Sequence, residues 1–107
     1  MVRLDTVPGM ILITGSVTVR SEHRAEALIL GTAHSRRSRS ESGCIAHNCH
    51  TDAEDENRIV FVEEWADMDA VRAHFAVPES GRFVRDLSAL ADGASVMAIY
   101  RTELVSR

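Results

Sequence analysis

The stretch "GCIAHNCHTDAEDENRIVFVEEW", residues 43 to 65, decides how this chain folds. Its second half, "RIVFVEEW" at residues 58 to 65, is dense in β-branched and aromatic residues and reads as a strand. Its first half holds Cys44, His47, Cys49 and His50, residue types that bind zinc or iron. The connection "DAEDEN" is short and acidic, so the two halves read as a β-hairpin. On a strand, side chains alternate between faces. His47 and His50 then point to opposite sides, and Cys44 and Cys49 are split in the same way. Cys44 and His50 share a face but stand roughly 20 Å apart. Only His47 and Cys49 are close on one face, and two ligands do not make a structural zinc site. A facial iron triad would need another His and a carboxylate brought in from elsewhere. The strand reading therefore implies no metal and no Cys44–Cys49 disulfide.

Outward from the hairpin, "MILITGSVTVR" at residues 10 to 20 reads as the first strand. Ser21 is a candidate cap for a helix with Glu22 in its first turn. Ala25, Leu28, Ile29, Thr32 and Ala33 give that helix one face, and Gly43 is its candidate stop. After the hairpin, Asp67 is a good N-cap for a short helix bearing Val71, His74 and Phe75 on one side. Pro78 interrupts that helix and opens another, with Phe83, Leu87 and Leu90 facing inward. Asp92-Gly93 makes a turn before a last strand in "ASVMAIYRTEL". The order β-α-β-β-α-β is the α+β, ferredoxin-like arrangement, a four-stranded antiparallel sheet with helices on one face. In residues 58 to 65, Ile59, Phe61 and Trp65 point one way while Val60 and Val62 point the other. A sheet apolar on both faces needs a second partner on its bare side, and a homodimer is expected. The domain is placed at residues 10–103, with an N-terminal extension at 1–9 and a tail at 104–107.

A chain of 107 residues is long enough for one core. No apolar run approaches the roughly 18 residues of a membrane span, so no membrane partner is expected. "MVRLDTVPGM" lacks the apolar segment of a secretory signal, which makes the cytoplasm the expected location. Net charge is −4 and all 12 basic residues are Arg, a balance that disfavours nucleic acid. The basic run with Arg36, Arg37 and Arg39 reads as a solvated helix end, where cations complement the dipole.

Neither a Gly-rich phosphate loop nor a G-x-S-x-G elbow occurs, so no nucleotide or flavin cofactor has a visible site. What remains is "VEEWADMDAVRAHF". Trp65 ends a strand where sheet and helix diverge, a common place for small ligands. His74 follows nine residues later on an apolar helical face. It is either a buried, hydrogen-bonded histidine beside a packing tryptophan or a general base with a tunable pKa. Glu63 shares the strand face of Trp65 and is either an edge charge or part of the same site.

The run "SRSESGCIAHNCHTD…IVFVEEWADMDAVRAHFAVPESGRFV", with Tyr100 in the last strand, resembles the antibiotic biosynthesis monooxygenase family across roughly residues 10 to 103. The resemblance implies a dimeric α/β barrel that oxidises a small phenolic or quinol-type aromatic with O2, using neither metal nor flavin. It makes His74 the candidate base or proton relay, and Trp65 a pocket wall and possible hydrogen-bond donor. Ser16, Thr14 and Asn48 are candidates to stabilise an oxyanion or orient oxygen. His47, Glu63 and Phe83 complete the candidate substrate-binding set. Relatives often carry Tyr where this chain has His47, which makes the pocket more polar here. Haem-degrading cousins place a His in the late helix, and "GRFVRDLSALAD" has none. The family also includes a sugar-phosphate isomerase. Two alternatives therefore stand: proton transfer on a small polar metabolite, and a non-catalytic ligand-binding dimer.

Overall fold

The computed structural model describes residues 9–107; the segment 1–8 of the expected N-terminal extension lies outside the described residues. Four strands, β1 (Met10–Thr18), β2 (Cys44–Asp52), β3 (Asp55–Trp65) and β4 (Val96–Thr102), form one antiparallel sheet in the order β2-β3-β1-β4. Three helices, α1 (Arg24–Ser38), α2 (Met68–Ala76) and α3 (Pro78–Leu90), complete the ferredoxin-like α+β order expected from the sequence. The hairpin is tighter than expected, because "DAEDEN" is largely strand. Asp52 accepts the backbone N–H of Glu54 at 2.8 Å, and Asp55 that of Asn57 at 3.0 Å. Short acidic side chains thus hold the turn of the expected hairpin.

On β3 the buried face is Ile59, Phe61, Glu63 and Trp65, in strict alternation. The core on this face falls into two apolar clusters. Val17, Val19, Ala27, Ile59, Phe61, Leu87 and Leu90 form one, and Ile11, Ile13, Trp65 and Val71 the other. Glu63 sits between Phe61 and Trp65, so a polar group stands where the clusters meet. The Asp67 side chain caps α2 by accepting the Ala70 N–H at 2.8 Å, and Pro78 opens α3, both as expected.

Three expectations fail, each for a local reason. Ser21 caps nothing: it lies in a 3₁₀ turn (Ser21–His23), and its hydroxyl accepts from Asn57 instead. The buried stripe of α1 is Ala27, Gly31, His34, Ser35 and Ser38, whereas Ala25, Ile29, Thr32 and Ala33 are exposed. Small and polar residues face the sheet here, so apolar periodicity misleads. The helix also ends at Ser38; Gly43, with φ of +82°, closes the turn into β2.

Candidate active site

Three histidines from three elements converge at the junction of the two clusters. His34 comes from α1, His47 from β2 and His74 from α2, with ring centroids 5.0, 5.3 and 5.5 Å apart. All three are buried, and Glu63 joins them directly across the ladder from His47. The strand stretch alone offered no such cluster; the other two imidazoles and the carboxylate arrive by folding. The strand's cysteines also sit differently from their expected alternation. A register shift between Cys44 and Ala46 pairs Cys44 with Trp65, while Cys49 pairs with Phe61. The bulge thus puts both thiols on the helix-covered face, where both are free.

Each imidazole is held from behind. Glu41 Oε1 lies 2.9 Å from His74 Nδ1, and since a carboxylate only accepts, Nδ1 carries a proton. Arg37 donates to Glu41 at 2.6 Å, to Ser80 at 3.0 Å and to His34 Nδ1 at 3.2 Å. His47 Nδ1 pairs with the Ser35 hydroxyl at 2.8 Å. His47 Nε2 is buried and, among the described residues, has no hydrogen-bond partner: Glu63 Oε1 is 3.4 Å away but without bonding geometry. The same Oε1 lies 3.9 Å from His74 Nε2 and accepts the Trp65 indole N–H at 2.9 Å.

Burial, followed by the neighbouring imidazoles, lowers His34 and His47 to about 3, so both are neutral near pH 7. Burial pushes the Glu63 carboxyl above its ordinary value, against the opposing pull of the Trp65 N–H. The cluster opens on a cleft of about 130 Å³ bordered by His34, Glu63, His74, Phe61 and Phe83. Phe83 stacks on His34 with centroids 3.9 Å apart.

The expected site residues divide into two groups. His74, Glu63 and Phe83 meet at the cleft, with His47 immediately behind it; Ser16 borders it where β1 meets β4, but it pairs with Val60, which puts its side chain on the opposite face. Trp65 does not reach the cleft. It is fully buried, its ring lies 4.5 Å from that of His74, and its single donor is committed to Glu63. Thr14 and Asn48 both pair with Val62, which puts them on the opposite sheet face, and Asn48 accepts from Arg39 there. His34, Ser35 and Glu41 were not singled out from the sequence. Glu41 opens the "ESGC" run, and His34 lies one helical turn beyond Gly31, whose missing side chain lets Phe61 and Cys49 approach α1.

The sequence profile described as "Antibiotic biosynthesis monooxygenase" matches residues 10–86. The chain belongs to this family. A curated relative, an uncharacterised protein of Synechocystis sp., is 29% identical over 91 residues, 85% of this chain and 62% of its own length. The chain therefore spans less than two thirds of that relative. Among solved structures, a protein of Deinococcus radiodurans described as an antibiotic biosynthesis monooxygenase superposes with a TM-score of 0.86 at 20% identity, covering 91% of this chain and 96% of its own. A conserved protein from Methanosarcina mazei gives 0.84 at 22%, covering 89% and 94%. At these identities the likeness shows the fold of the family. Among the described residues no helix is long and apolar enough to cross a membrane.

Proposed function

We propose that the chain is a monooxygenase of small phenolic or quinol-type aromatics, working on O2 with His74 as base. The observation that carries this reading is the Glu41–His74 pair at the wall of a mainly apolar cleft. Glu41 fixes the proton on Nδ1 and leaves the Nε2 lone pair to take one from a phenol or an activated C–H. The electron-rich anion then reduces O2 itself. One oxygen atom becomes the new carbonyl and the other leaves as water, so the substrate supplies all the electrons and no further reductant is needed. Phe61 and Phe83 keep the reacting ring away from water. Trp65 lies against the His74 ring, and Glu63 Oε1 stands 3.9 Å from its Nε2, beside the cleft.

The same reading makes the protein a homodimer. Leu12, Val60 and Val62 are only half-buried on the uncovered face, and Val96 and Tyr100 of β4 are exposed beside them. A second copy covering this face would remove that apolar surface from water. Two free thiols fit a cytoplasmic location.

The test is oxygen uptake by EDTA-treated protein with a panel of reduced quinols and anthrones, after subtraction of enzyme-free autoxidation. Uptake that falls about a hundredfold in His74→Ala supports the reading. Equal uptake in wild type and variant sinks His74 as the base. Activity that vanishes with EDTA sinks the metal-free route.

A further inference from the structure

We propose that His34, His47, His74 and Glu63 together bind one divalent transition-metal cation. One nitrogen from each imidazole lies within 4.8 Å of the other two. The ring centroids form a nearly equilateral triangle of 5.0, 5.3 and 5.5 Å. Three imidazoles bound tetrahedrally at roughly 2.0–2.1 Å would place their centroids about 5.2 Å apart. The rings therefore already stand where such an ion would hold them. Bringing the donor atoms to the required separation of about 3.4 Å closes the widest pair by at most about 1.4 Å, a matter of ring rotation. Glu63 Oε1, at 3.4 Å from His47 Nε2 and 3.9 Å from His74 Nε2, is within reach of these two rings as a fourth donor.

Two further observations point the same way. His47 Nε2 is a fully buried nitrogen with no partner among the described residues, a costly arrangement that a bound cation removes. Two of the imidazoles also have an outer hydrogen bond of the kind that orients metal ligands, Ser35 on His47 and Glu41 on His74, while the Trp65 N–H holds Glu63 Oε1 itself. His34 requires one rearrangement. Its Nδ1 now accepts from Arg37, so binding through Nε2 moves the ring proton to Nδ1 and releases that guanidinium contact. Arg37 stays anchored on Glu41 and Ser80. A three-nitrogen, one-oxygen set suits zinc and its first-row neighbours and has no soft thiolate. Binding does not depend on the oxygenase reading. Occupancy would, however, take the His74 lone pair on which that reaction relies.

The experiment uses untagged protein stripped with EDTA and dialysed, titrated with Zn2+ against a chromogenic chelator, and separately with Co2+, without oxygen or aromatic substrate. Wild type and the Cys44→Ser/Cys49→Ser double variant should each take up one equivalent per chain. Bound Co2+ should show the intense visible bands of a tetrahedral ion, without the near-ultraviolet charge-transfer band of a thiolate. His34→Gln and His47→Gln should each bind about 100-fold more weakly, at least the cost of an outer-shell change. Binding absent from wild type overturns the proposal, whatever the variants do. So does binding that survives both His variants or disappears with the cysteines. Because the wild-type stoichiometry and spectrum stand alone, a misfolded variant does not protect the proposal. Oxygen uptake is not read here, so failure of one proposal leaves the other standing.

Discussion

Replacing Gly43 with Ala should destabilise the fold through two separable effects. Gly43 has φ of +82°, a conformation that costs an L-residue about 1–2 kcal/mol. A Cβ at this position would also lie 2.6 Å from the Cβ of Ala70, where carbon atoms settle at about 3.5–4.0 Å. Neither methyl can rotate away, and overpacking of this kind costs about 1–3 kcal/mol. The expected total of about 2–5 kcal/mol is a large share of the ~5–15 kcal/mol that holds a typical domain together. Urea unfolding at fixed protein concentration, followed by the fluorescence of the single tryptophan, Trp65, reads the loss directly. A double-mutant cycle separates the two effects. Ala70→Gly removes the clash at a helix-propensity cost of about 1 kcal/mol. In that background Gly43→Ala should cost only its backbone strain, giving a coupling of about 1–3 kcal/mol. A loss below about 0.5 kcal/mol in the single variant would refute the reasoning. An equal loss in both backgrounds would show that the two residues do not touch.

Trp65→Phe should cost about 1–3 kcal/mol, chiefly because the buried Glu63 loses its indole donor; urea unfolding followed by circular dichroism measures it. Acidification should weaken the fold from about pH 6.5 downward. His34 and His47 sit near 3 in the folded chain and higher when unfolded, so the unfolded state binds more protons across this window. Each contributes up to about 1.4 kcal/mol per pH unit. Glu63, raised in the fold, works in the opposite direction and offsets part of the loss. Stability that stays flat or rises from pH 7 to pH 5 would contradict the buried, neutral state of these histidines. Glu41→Gln should lower kcat on a quinol substrate by about 10²-fold with little change in KM. The amide no longer holds the Nδ1 proton by charge, so the pH profile should shift as well; an unchanged profile would exclude Glu41 from orienting His74.

The parts of the fold legible in the sequence were those written in period 2. Residues 58 to 65 alternate cleanly, and that alternation placed Ile59, Phe61, Glu63 and Trp65 on one face, where the structure has them. Caps and breakers were legible too, because Asp67 and Pro78 act through their own backbone positions. The inward face of α1 was not, since Ala27, Gly31, Ser35 and Ser38 pack by being small rather than apolar. A search for hydrophobic period passes over such a stripe, and His34 was lost with it. Strand alternation also failed locally, because the bulge after Cys44 resets the faces and no residue pattern announces it. His74 and Glu63 were recognisable as site candidates from their context. Glu41 was not, because its role depends on a contact across 33 residues that only the closed fold makes.

The cluster's composition follows from its position. A gap between two apolar clusters could have been filled with more side chains like Ile13 and Ile59, and such a core would have been safer for so small a domain. Instead it holds three imidazoles and two carboxylates, and among the described residues Arg37 is the only guanidinium bonded to their side chains. Arg37 is paired with Glu41, which leaves Glu63 without a cationic partner. That imbalance gives the cluster a definite preference. The carboxylate would favour a cation among the three rings over an anion, while burial keeps His34 and His47 themselves neutral. An anionic ligand would meet Glu63 first. Proton abstraction and cation binding, the two uses proposed for this cluster, would thus compete for the same nitrogen, His74 Nε2.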